Sequence, residues 1–277
     1  MTFIVRRACA RAAVGTVLAC LVVASAAAVI PPGTALADKQ ELVRNNGAEP
    51  ESLDPHLVES AQAINILNDL FEGLTAVDNH GKVVPGAAQS WRQTDATTWV
   101  FKLRRDGRWS NGEPVTAQDF AFAWRRFVDP KTAAALASAY GGYVFNGVPI
   151  TQGKLPTSAL GVRVVDAWTL EVKTSSPVPF FPYVVAGAQF APLPHVLIEK
   201  FGKDWTKPNS LVSNGAYVLK DWRVNSKIVI EKNPKYWDAA VVRQCQVPGS
   251  PPSRKHRDRL AMPPQQATRG HCSTTKA

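Results

Sequence analysis

Residues 88–120, AQSWRQTDATTWVFKLRRDGRWSNGEPVTAQDF, decide how this chain is read. Trp99-Val100-Phe101-Lys102-Leu103 alternates as a half-buried strand should. Ser110-Asn111-Gly112 is a turn, since asparagine and glycine tolerate the backbone angles of a tight reversal. Thr116, with Asp119 three residues on, has the form of a capping box. It opens a helix that carries Phe120, Trp124 and Phe127, and Asp129-Pro130 closes that helix. Trp91, Trp99, Trp109 and Trp124 read as core aromatics, each burying a large area.

Outward from this stretch the chain continues as mixed helix and strand, without repeats. Leu42-Val43-Arg44 is a short strand candidate, ended by Asn45-Asn46-Gly47 and the turns at Pro50 and Pro55. Ser60 caps a helix with Ile64, Leu67, Phe71 and Leu74 on one face, and Phe71-Glu72-Gly73 stops it. Residues 162–165 and 169–172 flank Asp166-Ala167-Trp168 as a hairpin, and 195–201 forms a short helix. Residues 216–219 and 228–230 form a second strand pair. The regular βαβ rhythm of a dinucleotide-binding domain is missing, and no Gly-rich phosphate loop precedes a helix. The expected fold class is α/β, irregular and two-lobed.

Charge and cysteine sort the chain into three parts. The 277 residues carry a formal net charge of +10. Arg6, Arg7 and Arg11 stand in residues 1–26 with no acid, and residues 243–277 hold seven bases against Asp258. Between them, 22 bases face 21 acids, so a nucleic-acid partner is not expected. Cys9, Cys20, Cys245 and Cys272 all lie in the two ends, which excludes a cysteine metal site or thiol nucleophile between 27 and 242. The three arginines precede an uncharged run from Ala12 to Ile30 with Ala24-Ser25-Ala26 inside it, the pattern of a secretory signal. Cleavage is expected after Ala26 or, alternatively, after Ala37. Val17-Leu18-Ala19-Cys20 is a poor match to a lipid-anchor site, because apolar residues run well past the cysteine.

The ordered combination of Trp91, the strand 99–103, Arg104-Arg105-Asp106, Trp109, Asn111-Gly112 and Val115-Thr116-Ala117-Gln118-Asp119-Phe120 closely resembles the signature of the family 5 extracellular solute-binding proteins. These are the peptide- and nickel-capturing components of ABC importers. Val43-Arg44-Asn45-Asn46-Gly47, Ser52-Leu53-Asp54-Pro55-His56, Leu70-Phe71-Glu72-Gly73-Leu74 and Asn214-Gly215-Ala216-Tyr217 are similar to the oligopeptide-binding branch. The resemblance covers about residues 38 to 242. It implies a periplasmic-binding-protein-like (type II) α/β fold with mixed-sheet lobes, here truncated. The implied divisions are a signal at 1–26, lobe I from 27–71 and 195–242, lobe II from 72–194, and a disordered basic tail at 243–277.

The resemblance further implies a periplasmic monomer that closes on an extended oligopeptide and delivers it to an inner-membrane ABC permease, with no cofactor, no metal and no enzymatic step. Carried over by position, Glu59, Ser60 and Ala61 run beside the peptide main chain; the residues alone favour the entry and cap of the following helix, a role compatible with offering backbone groups. Leu136 stands where several relatives place a tyrosine against the ligand. His56 and His195 each sit beside a proline and read as surface or turn histidines, and His80 reads as a loop tip. No H-E-x-x-H, G-x-S-x-G or paired-carboxylate arrangement accompanies them. Residues 243–277, with five prolines and no hydrophobic periodicity, have the composition of an out-of-frame tail left by a frame change or truncation near Val242. Alternatives are a binder of murein peptides, dipeptides or metal chelates on the same fold, or a membrane-anchored interaction or chaperone-like protein that uses the uncleaved segment and the tail.

Overall fold

The computed structural model describes residues 45–242. The expected export segment, all four cysteines, the strand candidate at 42–44 and the expected basic tail lie outside them. In chain order the elements are α1 (Ala61–Leu70), β1 (Thr75–Val77), β2 (Val83–Pro85), β3 (Ala88–Gln93), β4 (Thr98–Leu103), α2 (Ala117–Val128), α3 (Ala137–Tyr140), α4 (Gly147–Thr151), β5 (Val162–Asp166), β6 (Thr169–Lys173), α5 (Phe181–Val184), α6 (His195–Phe201), β7 (Tyr217–Arg223) and β8 (Lys227–Lys232).

A four-stranded antiparallel sheet, ordered β3-β4-β6-β5, carries the centre, and α2 packs against it along β5 and β6. Register puts Trp91, Phe101, Leu170 and Val164 in one row and Gln93, Trp99, Val172 and Val162 in the next on the same face. From α2, Phe120, Trp124 and Phe127 descend onto that face fully buried. Phe181 sits between the layers, its ring centroid 6.3 Å from those of Trp99 and Phe101 and 6.4 Å from that of Trp124. The Trp124 indole finds its hydrogen-bond acceptor at the Phe190 carbonyl, 2.8 Å away, which lets a polar atom enter the core without loss. Trp99, Trp109 and Trp124 are buried as the sequence suggests; Trp91, on edge strand β3, is only half covered.

The central strand departs from strict alternation. Val100 faces away from α2 yet is buried, because it lies between Arg92 and Glu171 in the row Arg92, Val100, Glu171, Arg163. Arg163 and Glu171 clasp each other there at 2.6 and 2.9 Å, and the aliphatic stems around them cover the valine.

Capping behaves as the residues require. Asp119 Oδ2 accepts from the Thr116 N–H at 2.8 Å and its hydroxyl at 2.9 Å, and α2 ends at Asp129 before Pro130. Helix α1 is capped by Ser60, whose Oγ accepts from the Ala63 N–H at 3.2 Å. It stops sooner than expected, however. Its buried stripe is Ala63, Ile66, Leu67 and Leu70; Phe71 is already extended and Leu74 lies beyond the helix. Its end is met by another part of the chain: the Leu70 carbonyl accepts the Gly215 N–H at 2.8 Å and the Asn214 side chain takes the Glu72 N–H and carbonyl, while Gly73 lies so close to the Val185 carbonyl that a Cβ there would be 2.3 Å from its oxygen. The β7–β8 hairpin is longer than its apolar residues indicated. Its turn is fastened to Glu49, which accepts from Trp222 Nε1 at 2.6 Å and the Asn225 N–H at 3.0 Å.

His56 corrects the sequence reading most sharply, being 1% exposed rather than at the surface. Asp54 opens a turn in which its Oδ1 accepts the His56 N–H at 3.0 Å and its carbonyl accepts the Leu57 N–H. That turn swings the imidazole inward onto Phe127, ring centroids 5.1 Å apart. Arg126, on the last turn of α2, donates to both Asp54 oxygens at 2.6 and 3.1 Å and approaches His56 Nδ1 at 2.8 Å. Trp205 Nε1 adds a fourth donor to Asp54 at 3.2 Å. Three remote parts of the chain thus meet on one carboxylate. A guanidinium can only donate, so His56 Nδ1 must accept and the ring is neutral. Burial pushes the His56 pKa down to about 3; Asp54 pulls against this and Arg126 reinforces it. Burial would raise Asp54, but the Arg126 hydrogen bonds and nearby positive charge hold it below its ordinary value.

Two outcomes follow. Asp54→Asn strands the Arg126 charge and is expected to cost about 3–5 kcal/mol in urea unfolding, whereas the double change Asp54→Asn, Arg126→Met recovers much of that loss. Because His56 is held neutral, the unfolded chain binds the extra proton. Stability is full above the ordinary pKa of 6.5 and falls as pH drops toward about 3, with Asp54 adding to the loss below its own ordinary 3.8. Melting temperature should therefore begin to decline near pH 6.5 in the native chain, and only in the carboxylate range in His56→Gln.

Candidate functional site

The segment preceding α1 is built around Glu51. Its Oε1 accepts the Glu59 N–H at 2.7 Å and the Ser60 N–H at 2.9 Å, and its Oε2 accepts the Ser60 hydroxyl. Burial alone would raise this carboxyl, but the Ser60 hydroxyl and the backbone N–H groups of Ser60, Glu51 and Glu59 outweigh it and bring the pKa down to about 2. Ser60 completes the arrangement by accepting the Ala63 N–H on its hydroxyl oxygen and the Ile64 N–H on its carbonyl at 3.1 Å. Glu59 and Ala61 flank it, both exposed. The three residues expected beside a ligand are therefore contiguous, at the surface, and held by a fourth that sequence did not reveal. No local signal marks Glu51, because its partners lie eight and nine positions away in an irregular turn.

Leu136 directly precedes α3 and is partly buried against the core. His195 begins α6 and places Nδ1 3.2 Å from Asp119 Oδ1, so it supports the start of α2. His80 is exposed at a loop tip, as expected, its N–H held by Asp78.

A second cluster gathers stretches that look unrelated in sequence. Glu72 accepts from the Tyr236 hydroxyl at 2.6 Å and Trp237 Nε1 at 2.7 Å. Burial, with Glu72 beside it, pushes the Tyr236 phenol well above its ordinary range, so it serves as a neutral donor. The Asn214 side chain reads the Glu72 main chain as a strand would, accepting its N–H at 3.1 Å and donating to its carbonyl at 2.8 Å. Gly215 presses onto the end of α1, where a Cβ would stand 2.6 Å from the Leu70 carbonyl. Arg104 stacks on Trp237 with its Cζ 3.4 Å from the ring centroid, while its Nε donates to the Gly86 carbonyl at 2.7 Å. Lys235 Nζ donates to the Asn111 carbonyl at 2.9 Å. The pieces of the signature meet here as mutual supports rather than as groups turned toward a ligand.

Comparison with known proteins places this geometry. The profile of the bacterial extracellular solute-binding proteins, family 5, middle part, matches residues 82–259. That span ends 17 residues past Val242, further along than the residues on which the sequence reading rests. The chain is 50% identical over 215 residues to the periplasmic oligopeptide-binding protein of Escherichia coli, covering 77% of this chain and 40% of that protein. It is 45% identical to the periplasmic murein peptide-binding protein of the same organism, over 78% of this chain and 40% of the relative. The solved Haemophilus influenzae oligopeptide-binding protein in complex with the peptide RPPGFSPFR superposes with a TM-score of 0.69 at 46% identity, covering 71% of this chain and 39% of that one. The chain therefore spans about two fifths of the length of these relatives. By its signature, its fold and the profile match, it belongs to the family 5 bacterial extracellular solute-binding proteins.

Proposed function

We propose that this chain is the substrate-binding component of an ABC importer, which captures oligopeptides in the periplasm and passes them to an inner-membrane permease. The observation that carries this reading is half-identity to an oligopeptide-binding protein over 215 residues, 77% of the chain. In this reading the protein acts as a monomer. It uses no metal, cofactor or covalent step, and capture rests on closure of lobes around the ligand. Residues 27–71 and 195–242 contribute to one lobe and 72–194 form the other. Glu59, Ser60 and Ala61 run beside the peptide main chain, whose hydrogen bonds are the same for every sequence and so permit broad specificity. The murein-peptide relative, nearly as similar, favours a muropeptide as the second ligand to try.

Thermal melting followed by tryptophan fluorescence tests this, with a tri- to pentapeptide pool in one arm and a murein tripeptide in the other. A ligand at 100-fold excess over its Kd stabilises by about 2.7 kcal/mol, or roughly 5–10 °C for a domain this size. A saturable rise with the pool supports oligopeptide capture. A rise with the murein tripeptide alone transfers the assignment to that ligand. A cooperative melt indifferent to both overturns the reading.

A further inference from the structure

Ser60 uses up its own backbone pair internally. Its N–H goes to Glu51 and its carbonyl to the Ile64 N–H. The groups on either side are different. Among the described residues nothing donates to the Glu59 carbonyl and nothing accepts the Ala61 N–H, and both residues are exposed. In extended backbone the carbonyl of residue i and the N–H of residue i+2 point the same way, while the pair on residue i+1 points opposite. Glu59 C=O and Ala61 N–H thus form one rung of a strand edge, with Ser60 turned inward between them. Ser60 has the extended angles this requires, φ −75° and ψ 142°. A single residue of an adjacent extended chain can bridge that rung with its own N–H and C=O.

Which edge faces outward is decided by Glu51. Its carboxylate takes the inward Ser60 N–H, the neighbouring Glu59 N–H and the Ser60 hydroxyl proton together, so the segment cannot rotate without breaking three hydrogen bonds to a charged acceptor. We propose that Glu51 is a positioning residue for ligand capture, fixing the segment so that the Glu59 carbonyl and the Ala61 N–H meet the main chain of a bound peptide. The inference rests on the peptide-capture reading and adds to it the side chain that organises the contact.

The test compares Glu51→Ala and Glu51→Gln with the native chain in two measurements, amide hydrogen exchange and affinity for a tetrapeptide. The glutamine amide oxygen can still accept the two backbone donors, whereas alanine cannot. Exchange of the Glu59 and Ser60 amides should quicken about tenfold or more in Glu51→Ala, with the amides of Ile66 to Leu70 unchanged. Peptide affinity should fall by a similar factor, and Glu51→Gln should restore both. Unaltered exchange or affinity in Glu51→Ala overturns the proposal, as does a glutamine variant as impaired as the alanine one. A native chain that ignores the tetrapeptide contradicts peptide capture instead, and the exchange measurement then decides by itself whether Glu51 organises the segment.

Discussion

A carboxylate as deeply buried as that of Asp54 must be neutralised, and Arg126 is the group that does it, from 72 positions away in the chain. Much of the architecture is arranged so that these two side chains can meet. Arg126 reaches the pair only if α2 lies on the sheet with Phe120, Trp124 and Phe127 facing inward. Trp205 reaches it only if the turn after α6 returns beside α1, and His56 reaches it only if Asp54 and Pro55 bend the chain toward Phe127. A buried ion pair of this kind adds little net stability over an apolar replacement, yet it penalises any arrangement that separates its members. Its contribution is therefore to uniqueness. The segment that leads into Glu59, Ser60 and Ala61 begins directly after His56, so its position inherits that uniqueness.

What could be read from the sequence was local. The α2 capping box, the β5–β6 hairpin and the limits of α6 were all expected within a residue or two, because each is specified by neighbours four or fewer positions apart. The Ser60 cap was legible for the same reason. What escaped was set by distant contacts. The early end of α1 is met by Asn214 and Gly215, the burial of Val100 is set by two flanking strands, and the interior place of His56 by Arg126. A histidine beside a proline carries no mark of an arginine seventy residues on. Glu51 escaped more simply, since an acid in an irregular turn offers no period to detect.

The two polar clusters explain why the signature residues identify the family without outlining a ligand. Glu72, Arg104, Asn214, Tyr236 and Trp237 satisfy one another, and Asp54, His56, Arg126 and Trp205 do the same. The Asp54 cluster joins residues 72–194 to the stretches before and after them, and the Glu72 cluster joins them to the stretch after. Groups engaged in this way hold the scaffold together, and in the proposed reading ligand contact falls to exposed backbone, where the side chain matters least. A binding edge made of main-chain groups leaves little trace in sequence, and this is the physical reason a motif-rich chain can keep its site almost unmarked.

The central claim is that a peptide lies along Glu59, Ser60 and Ala61. Photo-crosslinking with a tetrapeptide carrying a benzophenone side chain, followed by mass-spectrometric mapping of the adduct, addresses it most directly. Labelling should concentrate on residues 59–61 and the first turn of α1, and an excess of unlabelled peptide should suppress it. Labelling that falls on other surfaces, or that unlabelled peptide does not displace, would contradict the account.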